Sequence, residues 1–267
     1  MSTSLRKLHR PVGIFDAGIG SYAIVRLVQH RYPDQDIIYL ADRASFPYGA
    51  KSKAELHQVA ASAISRLRNL GAEVVLVASN APTITVLEDI KRTTDGPILG
   101  VYPPVTRAIL VSQSKSVGVL GVKSLIESDE LRHYIDGKNA SGARISTFDA
   151  SSLVGLVESG VFLHKPLLTT EIVRHFLASV LVAHGDIDVF TLSSTHLPWL
   201  KSSLETTYPE LIFLDPAEEA VEALAPYVTH GSGAVACLVT ASTKYPFKEF
   251  ERMLRILNIP LTAELIN

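Results

Sequence analysis

The chain reads as an α/β protein of two parallel-sheet domains, related by a pseudo-twofold, with one ligand cleft between them. Three observations predict this class. Apolar runs of strand length alternate along the chain with segments of helical spacing, the pattern of parallel sheets with right-handed crossovers and helices on both faces. The pattern restarts after Pro103-Pro104. Two runs, Val74 to Thr83 and Asp188 to Pro198, each carry an apolar strand into small polar residues and deliver a serine, Ser79 or Ser194, where the strand ends. Ligands of open parallel sheets collect at such carboxyl ends, so two alike ends in two halves point to one shared cleft.

Taken in order, Pro11 to Gly18 reads as a first strand breaking into a turn, and Ile24, Val25, Leu27 and Val28 recur at helical spacing after it. Asp36 to Asp42 is a second strand and Arg43 to Ser52 a turn-rich loop. Lys53 to Leu70 carries the helical stripe Leu56, Val59, Ala60, Ile64 and Leu67, closed by Gly71. A strand over Glu73 to Ser79, a helix from Pro82 to about Lys91 and a strand over Pro97 to Tyr102 complete the first half. The second half repeats the alternation: strands at Ser116 to Val122, Ala143 to Asp149 and Asp188 to Ser193, a short helix carrying Glu158, and a long helix from Pro166 to His184. Leu211 to Asp215, Ala217 to Tyr227, Ala234 to Thr240 and Phe247 to Leu257 form a last strand–helix group that folds back onto the first half. The expected domains are therefore residues 1–101 with 211–267, and residues 102–210.

Bulk properties narrow the function classes. A chain of 267 residues with 47% hydrophobic and 19% charged residues suits a well-buried α/β protein and leaves little room for disorder. A net charge of −2, with no basic stripe, argues against nucleic acid as a partner. The single cysteine, Cys237, lies in an apolar run, which excludes a disulfide framework and a thiolate metal cluster and predicts an inert buried thiol. Met1 to Arg10 is basic and has no hydrophobic stretch for a signal peptide, and no segment reads as long enough to span a membrane, so cytoplasmic residence is expected. The nine histidines show no metal-ligand spacing, and no metal site is predicted.

Two motifs compete for a functional reading. Gly18-Ile19-Gly20-Ser21-Tyr22-Ala23 fits a loose dinucleotide pattern, with Asp42 where a ribose-binding acid would stand. Asp16 opposes it, since an acid there would meet the pyrophosphate, and a glycine turn that lets a helix pack closely on a strand is the bland alternative. Ser194, two residues before His196, suggests a nucleophile and base, but the run Leu192-Ser193-Ser194-Thr195 lacks the G-x-S-x-G elbow of α/β hydrolases. A lone serine or histidine at a strand end more often caps a helix, and Glu158 alone reads equally as a solvated helix end.

Together, four motifs resemble the cofactor-independent glutamate racemases of the aspartate/glutamate racemase family, over about Val12 to Leu257. Phe15-Asp16-Ala17-Gly18-Ile19-Gly20 is similar to F-D-S-G-x-G, and Ala41-Asp42-Arg43-Ala44-Ser45-Phe46-Pro47-Tyr48-Gly49-Ala50-Lys51-Ser52 to A-D-x-x-x-F-P-Y-G-x-K-S. Ala78-Ser79-Asn80-Ala81-Pro82-Thr83 resembles A-C-N-T-A-S/T, and Ser193-Ser194-Thr195-His196-Leu197-Pro198 resembles G-C-T-H-Y-P. Both catalytic cysteines of the family pattern are serines here. The resemblance implies a cofactor-free, two-base inversion at the Cα of an acidic amino acid, serving cell-wall peptidoglycan. Ser79 and Ser194 hold the two base positions, Asp16 assists the first, and His196 supported by Glu158 assists the second. Asn80 and Thr195 would hold the α-carboxylate, Pro47, Tyr48 and Gly49 would shape the side-chain end, and Thr83 would complete the substrate contacts.

Serine is a far weaker acid than cysteine, so the same resemblance implies loss of racemisation with binding retained. Two accounts follow: a trap made by exchanging both cysteines of an active racemase, which the retained Asp16, His196 and Glu158 favour, and a homologue that binds an amino acid without turnover. Ala17 and Ala81 remove one expected ammonium contact and one expected carboxylate contact, leaving glutamate, aspartate and related amino acids open as ligands. The expected partners are thus a small amino acid, with no nucleic acid and no membrane, and a homodimer is the candidate assembly.

Overall fold

β1 (Val12–Asp16) forms because five consecutive residues able to bury on both faces are flanked by a proline and a glycine turn, and every one of them is buried. It lies inside a six-stranded, wholly parallel sheet with β2 (Ile37–Asp42), β3 (Val74–Val77), β4 (Ile98–Gly100), β9 (Val235–Thr240) and β10 (Ala263–Leu265), ordered β10-β9-β2-β1-β3-β4. A second parallel sheet, β6-β5-β7-β8, is built from β5 (Ser116–Gly121), β6 (Arg144–Asp149), β7 (Val189–Leu192) and β8 (Ile212–Leu214). This computed structural model describes residues 8–266; residues 1–7 of the basic opening stretch lie outside them.

The chain divides into two compact units, Met1–Val101 with Ala217–Asn267, and Tyr102–Pro216. The expected return to the first unit at Leu211 falls instead at Ala217. The strand at 212–214 pairs with β7 in the register Val189↔Ile212, Phe190↔Phe213, Thr191↔Leu214, and Phe213 stacks on Phe190 at 5.8 Å. Strand–helix alternation reveals that a strand exists but not which neighbour it will pair with. The four strands β1 to β4 run in the order second, first, third, fourth, and β5 to β8 repeat that order. The two halves are therefore alike in connectivity, each with its strand order reversing beside its first strand.

Local sequence explains the main helices. Lys53–Asn69 starts at a capping box, in which Ser52 Oγ accepts from the Glu55 N–H and the Glu55 carboxylate accepts from the Ser52 N–H. Its buried stripe is Leu56, Ala60, Ala63, Ile64 and Leu67, and Gly71 follows with φ +100°, the left-handed residue that ends it. The helix expected from Pro82 to Lys91 is two pieces, Asn80–Thr85 and Leu87–Lys91, parted at Val86 with φ −133°. Thr83 and Thr85 turn their hydroxyls back onto the Ser79 and Ala81 carbonyls in the first piece. β10 was not expected, since three residues after Pro260 carry too short a pattern to mark a strand.

The long helix Pro166–Ala183 corrects another expectation, because by length and composition it is apolar enough to cross a membrane. Here Thr169, Val173, Leu177 and Val180 form its buried face, while Leu167 and Val182 are exposed. Cys237 is buried in β9, and burial pushes its thiol up to about 12, as expected of an inert thiol.

Candidate active site

In a parallel sheet whose strand order reverses, the two crossovers leave on opposite faces, and a crevice opens at the carboxyl ends of the strands flanking the reversal. In the first unit that point lies between β1 and β3. β1 ends at Asp16, followed by Ala17 and Gly18, and β3 continues through Ala78, whose N–H donates to Phe15 O, into Ser79. In the second unit it lies between β5 and β7, where the Ser193 N–H donates to Leu120 O at 2.7 Å and Ser194 follows. Both serines thus occupy the same topological position, just past the third strand of their four-strand order.

Ser79 is buried in extended conformation (φ −151°, ψ 128°) ahead of the helix at Asn80, and its carbonyl accepts from Thr83 Oγ1 at 2.7 Å. Thr83 Oγ1 also accepts from the Val101 N–H at 3.1 Å, so this hydroxyl, expected among the substrate contacts, is committed to tying β3 to the chain after β4. Asn80 Nδ2 donates to Val101 O at 2.9 Å, which fixes the amide orientation because a carbonyl can only accept. Asn80 Oδ1 is buried and, among the described residues, has no hydrogen-bond partner. A buried acceptor of this kind calls for a donor, while the second N–H of Asn80 Nδ2 stays available to an acceptor such as a carboxylate. Ala17 and Ala81 are both buried.

The loop after β2 is held by the Asp42 carboxylate, which accepts from Thr240 Oγ1 at 2.7 Å and from Tyr48 Oη at 3.1 Å. Its two oxygens thus tie β9 and the loop to the end of β2. The Thr240 hydroxyl in turn accepts from the Ala44 N–H at 3.0 Å. Burial, reinforced by the charges of Asp42 and Asp16, pushes the Tyr48 hydroxyl well above its ordinary range, so it remains a neutral donor to Asp42. The Phe46–Pro47 peptide is cis, and the turn Tyr48–Ala50 packs beside the helix Asn80–Thr85, bringing Pro47, Tyr48 and Gly49 to the strand end that carries Ser79.

One residue here escaped the sequence reading. Arg43 is buried, donates to Ala17 O at 3.2 Å, and sets its guanidinium 4.5 Å from the Phe46 ring centroid and 5.4 Å from that of Tyr245. The available signal was a cation three residues before an aromatic in a strand-end loop, a spacing with no chemical meaning until the loop is folded.

In the second unit, His196 Nε2 lies 2.6 Å from Glu158 Oε1, and His196 Nδ1 lies 3.4 Å from Ser194 Oγ. All three side chains are largely buried. Glu158 arrives from the last position of the helix Ser151–Glu158, which packs against the 3-10 turn Leu197–Leu200. That helix closes at Gly160, in left-handed conformation at φ 70°, whose N–H donates to Val157 O. On the other side, the Leu197 N–H donates to Ser194 O, and Phe162 packs edge-on to Trp199 at 6.0 Å. Thr195 is buried between the serine and the histidine.

Two like units of parallel α/β topology, each ending its third strand in a serine, define a duplicated open-sheet protein. The chain belongs to the Asp/Glu/hydantoin racemase family, whose sequence profile matches residues 22–224. It is 31% identical over 262 residues to a glutamate racemase of Roseiflexus sp. (strain RS-1), covering 94% of this chain and 93% of the relative. It is 27% identical over 248 residues to that of Aquifex aeolicus (strain VF5), covering 92% and 93%. Among solved structures, Escherichia coli glutamate racemase in complex with L-glutamate and the activator UDP-MurNAc-ala shares the fold with TM-score 0.83 at 22% identity, over 97% of this chain and 98% of that one.

Proposed function

We propose that the two serine-bearing strand ends serve one ligand, a small acidic amino acid, with Ser79 toward one face of its Cα and Ser194 toward the other, and that this chain binds the amino acid without racemising it. The observation that carries the reading is the topological equivalence of the two serines, each just past the third strand of a repeated four-strand order at its switch point. A two-base inversion needs two alike groups delivered from two alike frames. The relatives are glutamate racemases, and the Escherichia coli enzyme is one bound to L-glutamate. Glutamate is therefore the first ligand to test, with aspartate beside it because Ala17 and Ala81 alter the expected contacts. In this reading Asn80 Oδ1 accepts a hydrogen bond from the ligand's ammonium group and Thr195 contacts its carboxylate. Asp16 lies beside the first serine, His196 and Glu158 back the second, and Pro47, Tyr48 and Gly49 line the side-chain end.

The absence of turnover follows from acidity. A cysteine ionises near pH ~8.5 and lower in a favourable setting, whereas a serine alkoxide is not reached near neutrality, so neither serine is base enough for a weakly acidic Cα–H. The test is Cα deuterium incorporation and optical inversion with D- and L-glutamate and aspartate. The chain should bind and do neither, and Ser79→Cys/Ser194→Cys should do both. Each single variant should exchange one enantiomer at most. A double variant that folds and binds yet shows no exchange would mean that the serines do not flank Cα. Tight binding of NAD, NADP or FAD with no amino-acid binding would defeat the reading altogether.

A further inference from the structure

We propose that Ser194 is an activated nucleophile, with His196 as its general base and Glu158 as the residue that orients that base, and that it attacks small activated carboxylic esters to form an acyl-serine. The proposal stands on the second unit alone and does not depend on amino-acid binding.

The geometry sets the direction of proton flow. An ionised carboxylate can only accept, so the proton Glu158 Oε1 holds at 2.6 Å belongs to His196 Nε2. In the neutral ring Nδ1 is then the acceptor, and it faces Ser194 Oγ at 3.4 Å. The Ser194 hydroxyl consequently donates into the ring, the arrangement in which an imidazole draws the proton from an attacking oxygen. A serine–base contact of this length is within the looser range of such pairs before substrate binds. Relays of this kind are defined by geometry and roles rather than by chain order, so the absence of G-x-S-x-G removes only one way of building the turn. Here the sharp exit from β7 into the 3-10 turn Leu197–Leu200, with the Leu197 N–H donating to Ser194 O, sets the serine at the strand end. Ser79 offers the internal contrast: its hydroxyl makes no hydrogen bond among the described residues, and its carbonyl serves Thr83.

The step balances without any further redox or group-transfer reagent. Ser194 Oγ bonds to the acyl carbon while its proton passes to His196 Nδ1. The tetrahedral adduct then collapses, the bond from the acyl carbon to the ester oxygen breaks, and His196 returns the proton to the departing alcohol or phenol. Water resolves the acyl-serine by the same route, losing a proton to His196 and releasing the carboxylic acid with Ser194 restored. Glu158 keeps the ring in the productive tautomer and is opposite in charge to the imidazolium formed on the way.

The probe is p-nitrophenyl acetate, followed by nitrophenolate release and by mapping of acetylated peptides from the full chain. Acetyl should appear on Ser194 and not on Ser79. His196→Gln should slow its appearance by at least about 10²-fold and Glu158→Gln should also slow it, with folding checked by circular dichroism and melting. Ser194→Cys should carry the label as a thioester. In the unaltered chain acylation should slow in D2O, a readout of proton transfer during attack that needs no variant to fold and that a purely structural histidine would not produce. Acetyl spread over lysines or equally on Ser79, an unchanged rate in D2O, or unchanged Ser194 labelling in folded His196→Gln would each overturn the proposal.

Discussion

Asp36→Asn probes what joins the returning C-terminal segment to the first unit. The buried Asp36 carboxylate accepts four hydrogen bonds: from His9 N at 2.7 Å on one oxygen, and from Ser232 N, Ser232 Oγ and Ala234 N at 2.8 to 3.0 Å on the other. Asparagine can keep its oxygen toward Ser232 and Ala234 but must then turn an amide donor against the His9 N–H. One charge-assisted bond of roughly 1.5–3 kcal/mol is lost and three become neutral, for a total of about 2–4 kcal/mol. At about 2–4 °C per kcal/mol for a chain of this size, Tm at pH 7 should fall by about 5–15 °C. The pH dependence isolates the cause. Burial raises the Asp36 carboxyl, but its hydrogen bonds outweigh this and hold it below its usual value. A folded-state pKa lowered in this way gives stability that is fully present above the unfolded carboxyl value of about 3.9 and is lost as pH falls through the lower folded value. Melting curves of the two proteins, recorded by circular dichroism from pH 7 to pH 3, should therefore converge at the acid end. A gap that stays constant across that range would refute the charge argument and assign the loss to packing.

Gly118→Ala would set its new Cβ 2.3 Å from Phe190 Cε1, on a ring that is wholly buried against Phe148 and Phe213, so a thermal melt should show about 1–3 kcal/mol of overpacking. Thr240→Val removes the donor to Asp42 and the acceptor of the Ala44 N–H together, which should cost about 1–3 kcal/mol. By loosening the loop that presents Pro47 to Gly49, the same change should weaken glutamate or aspartate binding measured by calorimetric titration.

What the sequence disclosed, and what it withheld, follows the range of the physics involved. Both serines, Asp16 and His196 are legible because each stands at a strand end that apolar runs mark locally. Glu158 is legible only through the motif resemblance, because its meeting with His196 spans 38 residues and depends on a helix packing against a turn. Thr83 reads as a polar residue near a strand end, so it passes for a ligand contact, and only the fold shows its hydroxyl spent between Ser79 O and the Val101 N–H. The strand at 212–214 is legible as a strand, whereas its partner is chosen by side-chain packing such as that of Phe213 on Phe190. Arg43 fails the same test in reverse, since its aromatic neighbour Tyr245 comes from the far end of the chain.

A serine hydroxyl at residue 194, in place of a thiol, would bear differently on two reactions that one relay could assist. Removing a Cα proton requires a group that is itself a strong enough base at the moment of transfer, and a hydroxyl backed by an imidazole does not become one. Attack on an acyl carbon makes a smaller demand, because the oxygen need not ionise beforehand: its proton moves to His196 as the new bond forms, and Glu158 faces the resulting imidazolium. Ser79 has no such base on its hydroxyl among the described residues, so the two strand ends, alike in topology, are unlike in chemistry. In the proposed reading, two-base inversion would need a competent base at both strand ends, whereas acyl transfer would need only the second.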